Sequence, residues 1–160
     1  MRYQLKQTTG YAVLVLMLVL LVLSGCAQVK LVADYDKEVL ADTFHLAKRV
    51  DLFWANYLEA AGEDRKYDAI KGEMIGIEVD MNSLLLKNEA RDENKQTTAQ
   101  VENVIVVWGR TAGLIKFQGS VSNTSAKAYR VQLADAIKYI VTGEEAKNIS
   151  NNTTNAGGVQ

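Results

Sequence analysis

The chain has 160 residues and a formal charge of −1, with 18 basic and 19 acidic side chains interspersed along it. That is enough for one domain, and it holds neither the basic stripe of a nucleic-acid binder nor an acidic solvating block. One cysteine excludes an internal disulfide, and one histidine, with no Glu-x-x-His pair, argues against a histidine metal site.

Residues 1–25 read as a signal peptide. Arg2 and Lys6 make a positive start, and residues 11–23, YAVLVLMLVLLVL, form an uncharged apolar run. The run falls short of the about 20 apolar residues that a spanning helix needs. It ends in Leu23-Ser24-Gly25-Cys26: an apolar residue, two small ones and the only cysteine.

This ending closely resembles the lipobox of bacterial lipoproteins. The resemblance implies that the Cys26 thiol receives a diacylglyceryl group and that a signal peptidase cuts between Gly25 and Cys26. It also implies that the new amino terminus takes a fatty acyl chain such as palmitate. Several chains at about 0.8 kcal/mol per buried methylene make a durable anchor, where one chain is marginal. Ala27 stands where an aspartate would retain a Gram-negative lipoprotein at the inner membrane, so the resemblance favours the outer membrane. The mature part is similar to small helical lipoproteins of bacteria. Cleavage would remove Arg2 and Lys6 and no acid, leaving a charge of −3.

Residues 26–33 are then a lipidated terminus and short tether. Residues 34–143 are expected to form an all-α domain, an antiparallel up-and-down four-helix bundle. The absence of proline removes the strongest helix breaker. Gly62, Gly119 and Gly143 each follow a periodic segment, as helix-terminating glycines do.

The spacing predicts a first helix over residues 34–61. Its stripe is Leu40, Phe44, Ala47, Asp51, Trp54 and Leu58, with Val50, Phe53 and Tyr57 beside it. Asp64 is the expected N-cap of a second helix, residues 65–89, striped by Tyr67, Ile70, Met74, Ile77, Met81 and Leu84. A third helix is expected over residues 95–118, with Val101, Ile105, Trp108, Ala112 and Ile115 inward. Its NVIVVWG run is β-branched and would also suit a buried strand, but the flanking period favours helix. Asn123 or Thr124 should cap a shorter fourth helix, residues 125–142, with Tyr129, Leu133, Ala136, Ile137 and Ile140 inward. One end of the bundle would then be covered by three helices. Residues 144–160, polar and small, read as a disordered tail.

No catalytic constellation and no cofactor motif stands out. His45 lies near Glu38 and Asp42, which suits a surface cluster. Glu73 and Asp80 share a face opposite the apolar stripe, which suits a solvated face. The pairs Gly72/Gly76 and Gly109/Gly113 are less ordinary, because each mid-helix glycine costs up to about 1 kcal/mol relative to alanine. They suggest close backbone approach, within the chain or to a partner. Ile75, Val79 and Leu86 lie beside the second stripe, either widening the core or, with Gly72 and Gly76, forming a partner surface.

These features favour a lipid-anchored envelope protein that acts by interaction or as a structural subunit, without catalysis. Its expected partners are the membrane, through the anchor, and an envelope protein. The alternative is a binder of a small apolar ligand in the bundle core, lined by Phe44, Phe53, Trp54, Tyr57, Tyr67 and Trp108. Cys26→Ser should abolish lipidation and processing while leaving the helical fold intact. Intact mass of the mature protein checks this, and an unmodified Cys26 or a cut elsewhere would refute it.

Overall fold

The computed structural model describes residues 32–156. The expected signal peptide, Cys26 and the expected cleavage position fall outside the described residues. Four helices follow in order: α1 Lys37–Glu59, α2 Tyr67–Glu89, α3 Lys95–Gln118 and α4 Asn123–Ala156. A 3-10 turn, Gly62–Arg65, joins α1 to α2. Each helix packs on its neighbours in sequence, and α4 closes the ring on α1. No strand occurs among the described residues, and NVIVVWG is helical. The fold is the expected all-α four-helix bundle.

Backbone chemistry sets the helix limits. Asp36 caps α1, its Oδ1 accepting from the N–H groups of Glu38 and Val39 at 2.8 and 3.1 Å. The helix therefore starts at Lys37 and not at residue 34. Asp64 is not the cap of α2; it lies inside the 3-10 turn. The Tyr67 N–H instead donates to the carbonyl of Gly119 at 2.9 Å, so the end of α3 satisfies the start of α2. Gly119 ends α3 with φ of +80°, a conformation that favours glycine. Neither Asn123 nor Thr124 caps α4. Ser122 does, its Oγ accepting from Ser125 N–H at 3.1 Å.

The core is built around Phe53, Trp54, Tyr57 and Trp108. Phe53 meets Trp54 and Trp108 edge-on, with ring centroids 5.1 and 5.4 Å apart. Trp54 meets Tyr57 the same way at 5.5 Å. Such pairs contribute about 0.5–1.5 kcal/mol beyond area burial. The indole N–H groups of Trp54 and Trp108 are buried without a partner. Burying an aromatic removes roughly 150–250 Å² from water, about 4–6 kcal/mol at 25 cal/mol/Å². That outweighs the roughly 1–3 kcal/mol of one unpaired donor. The Tyr57 hydroxyl accepts from Val121 N–H at 2.7 Å and ties the core to the α3–α4 loop.

The α2 stripe packs inward as the spacing predicts, with Met74, Ile77, Met81 and Leu84 buried. The α1 stripe is turned from its expected direction. Val39, Thr43, Leu46, Val50, Phe53, Trp54 and Tyr57 are buried, whereas Phe44 and Asp51 are exposed. Thr43 enters the core because its hydroxyl donates to the Val39 carbonyl at 2.7 Å.

The largest departure is α4. It does not stop near Thr142, and it is the longest helix, not a short one. Gly143 lies inside it, where a side chain would press on Gln100 Oε1 at 3.2 Å from the added Cβ. Residues 144–156 are therefore helix and not a disordered tail. The reason is a charged cluster that continues the core stripe.

Glu144 is fully buried and Lys147 is 8% exposed. Lys147 Nζ donates to Glu144 Oε1 at 2.5 Å, to Asn94 Oδ1 at 2.7 Å and to Thr97 Oγ1 at 2.7 Å. Arg91 Nη1 donates to Glu144 Oε1 at 3.0 Å, and Asp36 N–H to Oε2 at 3.2 Å. Arg91 also donates to the carbonyl of Asp34. Asn94 is held in turn by Asn88 Oδ1 at 2.8 Å. Removing one partner of such a buried set leaves uncompensated charge and costs about 3–5 kcal/mol. Glu144→Ala should therefore destabilise the protein by about 3–5 kcal/mol, measured by chemical denaturation. A loss below about 1 kcal/mol would be the level of an exposed ion pair and would refute the account.

Candidate functional site

The outward face of α2 is the candidate. Residues three and four apart share a helix face, and Gly72, Ile75, Val79 and Leu86 lie roughly opposite Met74, Ile77, Met81 and Leu84. Ile75, Val79 and Leu86 are 55%, 60% and 66% exposed. They do not widen the core. Scattered apolar side chains on a surface are ordinary, but a row of them opposite a complete core stripe has no role in packing this helix.

The four mid-helix glycines are not points of close approach between helices of the chain. A Cβ built on Gly72, Gly109 or Gly113 meets nothing within 4 Å. Gly76 is different. The Arg49 guanidinium, reaching from α1 to pair with Asp80, lies over it, with Cζ 3.2 Å from an added Cβ. Gly76 thus makes room for a side chain and not for a backbone. Gly72 carries no side chain in line with Ile75 and Val79, so the row has a bare end with open space above it.

The other residues singled out in the sequence are accounted for locally. His45 is exposed. Its neighbours Glu38 and Asp42 are engaged by Lys87 of α2, with Nζ 2.5 Å from Asp42 Oδ2 and 3.9 Å from Glu38 Oε2. The hydrogen bond that Lys87 donates to the Asp42 carboxylate raises the Lys87 pKa above its ordinary value. Asp80 pairs with Arg49, and Glu73 is exposed. No group of His, Cys, Asp or Glu among the described residues is arranged to hold a metal ion. No described helix is long and apolar enough to cross a membrane.

The aromatic residues do not line a pocket together. Phe53, Trp54, Tyr57 and Trp108 fill the core against one another, while Phe44 stands apart beside a groove between α1 and α4. The sequence reading passed over that groove and the Arg91–Glu144–Lys147 cluster. The cluster carried a signal, since Leu133, Ile137, Ile140, Glu144 and Lys147 continue one three-four period.

No family model, no curated protein and no solved structure matches this chain.

Replacing a helical glycine by alanine where space is open should stabilise by some tenths to about 1 kcal/mol. Gly72→Ala, Gly109→Ala and Gly113→Ala are expected to do so. Gly76→Ala should gain less than Gly72→Ala, because Arg49 must leave Asp80. Thermal melts of the four variants check this order, and an equal gain at Gly76 would show that the Arg49 contact has no energetic weight.

Proposed function

We propose that this chain is a lipid-anchored protein of the cell envelope that works as a helical interaction or structural module, without catalytic activity. If the host is Gram-negative, the outer membrane is the favoured site. The observation that carries the interaction reading is the outward row of α2: Ile75, Val79 and Leu86, with Gly72 open at its end. The lipobox residues Leu23 to Cys26 support the anchor. The absence of a role in catalysis rests on the polar groups themselves. Asp42, Asp80 and Glu144 are engaged by cations of this same chain.

The tether supports a position close to the membrane. Ala33 is buried, and its N–H donates to the Glu93 carbonyl at 3.1 Å. Residues 27–33 span at most about 25 Å when fully extended. Tight packing of the core aromatics weighs against an apolar ligand there.

The test places a photoreactive amino acid at position 79 of the full chain in cells. Crosslinking to one envelope protein, lost on Ile75→Asp and unaffected by Lys127→Asp on α4, is the expected result. Both variants should melt within a few degrees of the parent, since both positions are exposed. A crosslink pattern indifferent to Ile75→Asp, or no crosslink at position 79, would refute the α2 surface.

A further inference from the structure

Facing flanks of α1 and α4 carry alanines, Ala47 and Ala134, where larger side chains would close the seam. The result is an open groove of about 470 Å³. Val50 and Ile137, both buried, are among its apolar lining, with Phe44 and Val141. That size and lining are those of a site for a small apolar body. Its charge is what distinguishes it. Lys48 of α1 and Lys138 of α4 line opposite sides, and neither is ion-paired among the described residues. Arg130 and Asp51 also line it and neutralise each other, with Arg130 Nε 2.6 Å from Asp51 Oδ1. That hydrogen bond lowers the Asp51 pKa and raises that of Arg130, so the pair stays ionised and closed on itself. Two lysines are left over an apolar trough, in a chain whose net charge is negative.

We infer that the α1–α4 groove binds a free long-chain fatty acid, its chain lying between Ala47 and Ala134 and its carboxylate held by Lys48 and Lys138. The chain needs an elongated apolar bed open along one side, and the seam between two helices supplies it. The carboxylate needs unpaired cations at the rim, and only the two lysines answer that need, because Arg130 is already engaged. A neutral ligand would have no use for the lysines.

The test uses the full-length chain in phosphatidylcholine nanodiscs and a palmitic acid carrying a diazirine in its chain. After photolysis, adducts should map to residues 44–51 and 130–141 and be competed by palmitate. The combined variant Lys48→Glu and Lys138→Glu should lower labelling at least about tenfold, equivalent to 1.4 kcal/mol. The methyl ester of the probe should label the parent as poorly. Ala134→Met, which fills the trough without changing charge, should also abolish labelling, with circular dichroism showing the fold retained. Adducts spread over all four helices would overturn the proposal. So would labelling that survives either charge reversal or filling of the trough. A groove that takes the probe only after the chain is stripped of a neighbouring polypeptide belongs to that protein, which likewise overturns it.

Discussion

A fully buried carboxylate, Glu144, binds three distant parts of this chain together. One cation comes from the α2–α3 loop, another from the next turn of α4, and an N–H from the residue that caps α1. A carboxylate taken out of water is costly unless its lone pairs are met, so these partners stabilise only as a set. Displacing α4 by one turn would carry Glu144 away from Arg91 and leave the carboxylate buried without that partner. Register at this end of the bundle is thus a matter of charge, while the opposite end is tied by the Tyr57 hydroxyl and the Gly119 carbonyl.

How far the fold could be read from the sequence varied with the residues in each stripe. On α2 the inward positions are all apolar, and the spacing from Met74 to Leu84 gives the correct direction. The α3 limits, Lys95 to Gln118, are as legible, because Gly119 opens the small polar run Gly-Ser-Val-Ser-Asn-Thr-Ser that reads as a loop. On α1 two apolar stripes lie side by side, and Phe44 outweighs Thr43 in any reading by hydrophobicity. What settles the matter is a hydroxyl that returns its hydrogen bond to its own helix, as Thr43 does and as Thr111 does on α3. The end of α4 was hidden for a related reason. Glu144 and Lys147 resemble solvated tail residues until Arg91, Asn94 and Thr97 are brought to them from 50 or more positions away.

The candidate surfaces were unequally visible. Ile75 and Val79 stand out in the sequence because α2 already has a full inward stripe, although only the structure decides between core and surface. The groove was not visible at all, since it arises from two alanines on helices far apart in the chain. The α2 row projects and the α1–α4 groove is recessed. They share no residue, so occupancy of one leaves the other open.

The attachment of Ala33 to Glu93 has a mechanical consequence. Any pull applied through the residues before it enters the bundle at the α2–α3 loop, not along the axis of α1 alone. One residue further on, the chain passes the Arg91–Asp34 contact, and two beyond that the cap at Asp36, whose N–H donates to Glu144. Load is therefore divided among three helices within four residues of its entry. A force that would peel a single helix, one turn at a time, must here break hydrogen bonds to Glu93, Arg91 and Glu144 together. The end of the bundle at Ala33 is the end built to resist being torn.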